Sequence, residues 1–422
     1  MDAHPIPNEM KVVTPGEAVA AIPDGKLVVF PGGCADPSMF YDAFSADVER
    51  FSDLTVCSGL SWGDYRFLER GLGEHFHYLT WQASPKIRHL FTANDRRKVS
   101  FVPIRLSDLT RVVSRNGPIR PEVVVVQTSM PQDDATVSLG ISVGPNQDFV
   151  ESANIVIAEM NSNMPVTAGD SRVAMASIDL AIESSRPLAN YDTGAPEPRD
   201  ERIVEHVLSL IPDAAWVQFG VGAVPDRVLG RLAEISGANL YSGMLSQGLI
   251  RYLENAKHKP KVINGELAGN TSLYSFCDGN DTVEMHRTSL THDPLKLAAL
   301  PHFVSINSTV EIDLQGQSNG ETLGSVQISG VGGSLDYIEA AAVSDGGVSI
   351  IALPSTTAGD KRSKIVASLT PGSVVTTPRY CIDYVITEYG IARLRGKSLW
   401  QRAEALIEIA HPDFRDQLAA GH

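Results

Sequence analysis

The sequence predicts an α/β protein made of two related open domains, and three observations lead there. Short β-branched apolar runs alternate with helical patterns along all 422 residues, the mark of a largely parallel sheet. One aperiodic stretch rich in Pro, Gly and charge, Pro187 to Arg202, interrupts them. The segments on either side of it open in the same style.

Lys26 to Phe30, Leu54 to Cys57, Val123 to Val126 and Ile155 to Ile157 read as buried strands because they are short, apolar and bounded by turn residues. Helical periodicity resumes over Ile203 to Leu210, so the domain boundary is drawn at residues 190/191, giving 1–190 and 191–422. Each half then runs helix, strand, Gly-rich turn, Pro and helix: KLVVFPGGCADPSMFYDAF in the first, AWVQFGVGAVPDRVLGRL in the second. Such units suit two cousin domains facing one site.

Composition narrows the function. Hydrophobic residues make up 43% and charged ones 20%, which is ordinary globular usage. The formal charge of -15 repels phosphate backbones and anionic lipid, arguing against nucleic acid and membranes as partners. Cys34, Cys57, Cys277 and Cys381 form no C-x-x-C pair, so no zinc or redox motif is readable and no metal is expected. With no basic start followed by an apolar run, the expected location is cytoplasmic.

The second half carries further Gly-rich turns at Gly316 to Gly320, Gly330 to Gly333 and Gly346-Gly347. Glycine lets backbone amides approach a phosphate or oxyanion closely. Ser355, Thr356 and Thr357 precede Lys361, Arg362 and Lys364, a cluster of hydroxyls and cations able to hold nucleotide phosphates. The competing reading is a solvated turn before a strand Ile365 to Ala367.

Val374 to Phe414, with NSTVEIDLQGQSNGE (Asn307 to Glu321), SGVGGSLDY (Ser329 to Tyr337) and AEMNSNMPVTAGDS (Ala158 to Ser171), resembles the acetyl-CoA hydrolase/transferase family, which includes 4-hydroxybutyrate CoA-transferases. The resemblance spans nearly the whole chain. It implies two related CoA-transferase, NagB-like domains with the active site between them, coenzyme A as acyl-CoA substrate, a small carboxylic acid as possible partner, and a homodimer. In the family's transferases a glutamate attacks the thioester, forming a mixed anhydride and then a glutamyl-CoA thioester. Such chemistry needs a desolvated carboxylate and amides for each oxyanion.

The family's glutamate falls in an H-T-E-M type segment. Here the matching text is LYSGMLSQG, and the glutamate position reads Gly243. Glycine can form neither intermediate, and neighbouring Ser242 lacks an adjacent base. Val221 and Gly222, and Gly330, Gly332 and Gly333, resemble the oxyanion and CoA-binding loops, with Ser355, Lys361 and Lys364 as further CoA contacts.

Glu266 in VINGELAG stands where the family has an apolar or small residue, after a strand and before the Gly269 turn; it is a candidate general base or alternative nucleophile. The competing reading is a solvent-facing loop carboxylate. His292 in SLTHDP occupies a position where the family often has a substrate-binding Asn, and is read as a substrate contact or acid/base, against a capping or core histidine.

Three other signals carry less. Gly140 to Gly144 matches G-x-S-x-G, yet Pro145-Asn146 follows where a helix should begin. Glu74, His75 and His77 are possible metal ligands, yet no further ligand stands at a telling distance, and an aromatic-flanked surface turn is the competing reading. Glu388 is assigned a structural role beside the CoA loop.

The preferred function is cleavage of an acyl-CoA by water, at the thioester or at a carbon-carbon bond of a keto-acyl-CoA, with Glu266 as base and His292 as contact. The alternatives are a CoA-transferase using an unusual carboxylate and an inactive CoA-binding protein.

Overall fold

The computed structural model describes residues 10–63, 65–92, 98–195 and 197–420; Asp64 of GLSWGDY and Pro196 of the divider lie outside them. The chain forms two compact units, Met1–Tyr191 with Ile263–Thr291, and Asp192–Val262 with His292–His422. The sequence reading draws a single break at residues 190/191, whereas the chain leaves the first unit there and comes back to it for residues 263–291. No composition shift marks that return, because a segment that re-enters a core keeps the same apolar patterning.

The first unit holds an eight-stranded sheet in the order Lys11–Val12, Leu180–Ser184, Ile155–Asn161, Val123–Thr128, Leu27–Val29, Leu54–Ser58, Phe76–Thr80, Val99–Phe101. Every pairing in it is parallel. The four expected strands are present, and three run on past their apolar stretches, Leu54–Ser58 by one residue. Val123–Thr128 continues through Gln127 and Ile155–Asn161 through Asn161. These polar residues stay buried because they bond: Gln127 Nε2 donates to the Asp36 carbonyl at 2.5 Å, and Asn161 Nδ2 to Gln127 Oε1 at 3.2 Å.

Strand order reverses between Leu27–Val29 and Val123–Thr128, a topological switch point, where α/β sheets open a crevice at their carboxyl ends. Gly32 and Gly33 follow the first of these strands, and helix Ser38–Ala46 follows them. The core beneath is aromatic. Phe30 packs at 5.1–5.6 Å, centroid to centroid, on Phe40, Tyr41, Phe44 and Phe67, so truncating Phe30 costs about 3–5 kcal/mol.

The second unit repeats the plan. Its sheet runs Gly390–Arg393, Tyr384–Thr387, Val348–Ala352, Phe303–Asn307, Trp216–Phe219, Asn239–Ser246. The hairpin strand Gly390–Arg393 is antiparallel to its neighbour, and the others pair in parallel. Its switch point lies between Trp216–Phe219 and Phe303–Asn307, and the turn Gly220 to Gly222 leads from there into helix Ala223–Arg231. Helix Pro198–Leu208 precedes the first strand, capped by Glu197 and Asp200; the sequence places its start five residues late, because Pro198 reads as loop although proline suits a first helical turn. No helix among the described residues is long and apolar enough to cross a membrane.

Candidate active site

Glu266 lies inside the strand Val262–Ala268 and not in a loop after it. The backbone is held on one side by Val143 N to the Gly265 carbonyl at 3.1 Å and Leu267 N to the Ile141 carbonyl at 2.8 Å. This bridge sets Glu266 opposite Ser142. Its carboxyl enters a slot with two glycine walls. Oε2 is 2.7 Å from the point a Cβ would take on Gly33, and a Cβ on Gly144 would collide with Oε1. Gly33 is the residue that closes the turn after the central strand, at φ +69°. The carboxyl therefore faces the switch point of the first sheet.

Oε2 of Glu266 is sealed from solvent and has no hydrogen-bond partner among the described residues. Burial pushes the carboxyl up to about 8, and the Ser142 hydroxyl pulls only weakly the other way. The solvent-facing loop reading is thereby replaced: the strand carries two residues beyond Glu266 and delivers the side chain inward.

Ser142 itself is buried and committed. It accepts from Asn146 Nδ2 at 2.9 Å and donates to the Gly32 carbonyl at 3.3 Å. The expectation that Pro145-Asn146 prevents a helix is corrected, since helix Gly144–Ser152 begins at once with proline in its first turn. The Ser142 hydroxyl also acts on the Glu266 carboxyl, lowering its pKa against burial, so the G-x-S-x-G text builds one wall of the Glu266 slot.

A second buried carboxyl escaped the sequence reading. Asp36 lies three residues beyond Gly33, and Ser61 Oγ sits 2.7 Å from both of its oxygens. Burial raises it to about 7. Its signal was visible only as an acid following a Gly-Gly turn.

In the second unit Gly243 lies in the strand Asn239–Ser246. Ser242 is fully buried and locked, donating to the Met244 carbonyl at 2.8 Å. His292 is 3% exposed. Its Cε1 and Nε2 lie 2.8 Å from the point a Cβ would take on Gly243, and Tyr337 Oη lies 3.0 Å from that point. A Cβ on Gly333 would likewise collide with Nε2. Burial holds the imidazole down at about 3, hence neutral. It is not the helix cap: the N-cap of Pro294–Ala298 is Asp293, whose Oδ1 accepts from Leu295 N at 2.9 Å. Tyr337, tilted against the ring at 4.8 Å between centroids, is a neighbour that sequence spacing did not single out.

Val221 is 40% exposed, and Gly222, at φ +135°, is the N-cap of helix Ala223–Arg231, so unbonded helix-start amides face out from this turn. Gly330, Gly332 and Gly333 lead into helix Ser334–Val343 and stay half-buried. The hydroxyl-cation cluster divides. Ser355 is fully buried, its N–H donating to Glu388 Oε2 at 2.9 Å and its hydroxyl to Oε1 at 2.7 Å. Lys361 is exposed. Lys364 is half-buried, its amine pushed down by burial and by Arg199. Ser355 thus orients a carboxylate in the hairpin turn. His75 Nδ1 lies 2.7 Å from the Phe51 carbonyl and His77 Nε2 3.0 Å from Ser100 Oγ, so neither faces a shared metal position. Among the described residues no group of three His, Cys, Asp or Glu side chains could hold a metal ion.

Residues 6–189 match the acetyl-CoA hydrolase/transferase N-terminal domain, and residues 269–421 match the C-terminal domain. The 4-hydroxybutyrate coenzyme A transferase of Clostridium kluyveri is 35% identical over 97% of this chain and 96% of that protein. The crystal structure of RipA from Yersinia pestis is similar with a TM-score of 0.90 at 27% identity, covering 97% of this chain and 96% of that one. A protein named acetyl-CoA hydrolase from Candida albicans is more distant, 22% identical over 70% of this chain and 64% of its own length.

Proposed function

We propose, from the premise that this chain belongs to the acetyl-CoA hydrolase/transferase family, that it cleaves an acyl-CoA with water, releasing free coenzyme A and a carboxylic acid. The observation that carries this reading is the buried, unpartnered Oε2 of Glu266. A carboxyl with one oxygen left without a partner, against glycine walls, suits a group that takes its proton from a bound water. Glu266 in its ionised form accepts that proton as water adds to the thioester carbonyl. The oxyanion that forms needs backbone N–H donors of a Gly-rich turn. Collapse expels the CoA thiolate, which recovers the proton from Glu266. Lys364 and Lys361 serve the phosphates, with Lys364 the stronger contact, and Gly330 admits the pantetheine chain close to the backbone.

A second reading has its own support. Most of the similar proteins carry CoA-transferase names, and a poorly solvated carboxylate is also a competent nucleophile. Glu266 would then itself carry CoA. Incubation with acetyl-CoA separates the two. Water cleavage gives free thiol without any added carboxylate and no protein-bound CoA; the transferase reading gives a hydroxylamine-sensitive protein-CoA adduct that disappears in Glu266→Gln.

A further inference from the structure

Gly243 lies within a strand and outside the left-handed region, so its backbone would accept any residue. Gly333, at φ -97°, is equally unrestricted. The nearest atoms to a side chain at both positions belong to one imidazole, with Tyr337 next, at 3.0 Å from the Gly243 Cβ point and 3.2 Å from that of Gly333. His292 puts Cε1 and Nε2 2.8 Å from the Cβ point of Gly243, and Cδ2 2.6 Å from that of Gly333.

The ring has little room to retreat. Tyr337 packs beside it at 4.8 Å between centroids and in turn on Phe303 at 6.3 Å. Tyr337 and Phe303 are 2% and 0% exposed. The His292 backbone is tethered by the adjacent cap at Asp293. Contacts under 3.0 Å between carbon and ring atoms are repulsive, and packed interiors resist such overlap.

We infer that His292 and Gly243 form an exclusion pair: the imidazole holds the space that a side chain on this strand would need, and so fixes water, not a protein carboxylate at residue 243, as the acyl acceptor. The inference rests on the water-cleavage reading. It makes His292 a specificity-determining residue whose main effect is exerted through what it excludes. If the ring is removed and a carboxylate introduced, that carboxylate can attack the thioester carbonyl and expel CoA thiolate, leaving an acyl anhydride. The thiolate then attacks the glutamyl carbonyl of the anhydride, expelling the acyl carboxylate and leaving a protein-bound CoA thioester.

The test uses wild type, Gly243→Glu, His292→Ala and the double variant, each incubated with acetyl-CoA and analysed by intact mass before and after hydroxylamine. The expected result is a hydroxylamine-sensitive CoA adduct in the double variant alone. An adduct in Gly243→Glu with His292 intact overturns the exclusion pair, as does a folded double variant without adduct. Folding is monitored by a parallel cycle with Gly243→Ala. In the wild-type background this change is expected to lower the melting midpoint by about 5 °C, and in the His292→Ala background to lower it by less than about 1 °C. Equal losses in the two backgrounds overturn the pair even if the carboxylate variants do not fold. An adduct in wild type, by contrast, rejects the water-cleavage reading and leaves the steric cycle to be judged separately.

Discussion

Glu266 Oε2 rests 2.7 Å from where a methyl group on Gly33 would begin. Gly33 also sits at φ +69°, so two independent constraints require glycine. Gly33→Ala is expected to cost about 1–3 kcal/mol in stability and to lower kcat by about 100-fold by displacing the carboxyl. Denaturant unfolding and steady-state thiol release measure the two; unchanged kcat in a destabilised protein would detach Glu266 from the reaction.

The raised carboxyl of Glu266 has a pH signature. From the ordinary value of 4.5 up to about 8 the unfolded chain gives up this proton while the folded one keeps it. Stability from this group is therefore intact below 4.5 and falls as pH rises towards 8, then levels off. Glu266→Gln should remove that slope, making the variant relatively more stable at pH 8 than at pH 5. If Glu266 is the base, kcat should rise through about pH 8 in the wild type and drop by about 100-fold or more in the variant.

His292 behaves in the opposite sense. Its imidazole is depressed from 6.5 to about 3, so the unfolded chain takes up a proton below 6.5 that the folded one refuses. Stability is lost as pH falls from 6.5 towards 3. His292→Gln should flatten that acid limb. The wild-type rate profile should show no break near 6.5 belonging to this residue, and its ring protons should not titrate by NMR between pH 5 and 8.

Ser355 and Lys364 should separate cleanly. Ser355→Ala strips Glu388 Oε1 of the hydroxyl 2.7 Å away and is expected to cost about 1–3 kcal/mol in stability, since a buried acceptor is left unsatisfied. Lys364→Ala is expected to raise KM for an acyl-CoA by about 10-fold with kcat unchanged. The same KM effect from Lys361→Ala would move the phosphate contact to the exposed lysine.

Regular structure was legible where patterning is local. Val123 to Val126 could be read as a buried strand because β-branched residues crowd together, and the Gly-rich turns near Gly33 and Gly222 announce themselves. Glu266 was visible as an acid where the family has an apolar or small residue, but its slot was not: Gly33 comes from one distant stretch and Ser142 with Gly144 from another, and only the fold brings them to one carboxyl. Ser355 misled because a hydroxyl followed by cations looks available, whereas its partner Glu388 lies 33 residues on. Tyr337 gave no signal at all, since an aromatic residue one turn into a helix ordinarily signals core packing.

The return of residues 263–291 to the first unit bears on how the polypeptide matures. A nascent chain leaving the ribosome has Leu27–Val29 and its neighbours early, yet the strand segment bearing Glu266 emerges only after residues 192–262 of the other unit. The amino-terminal half must wait, incomplete, while foreign sequence is synthesised, so neither half can ripen as an independent module in simple N-to-C order. Chaperone dependence during translation, and failure of a fragment ending at residue 190 to reach a protease-resistant state, are the outcomes this threading imposes.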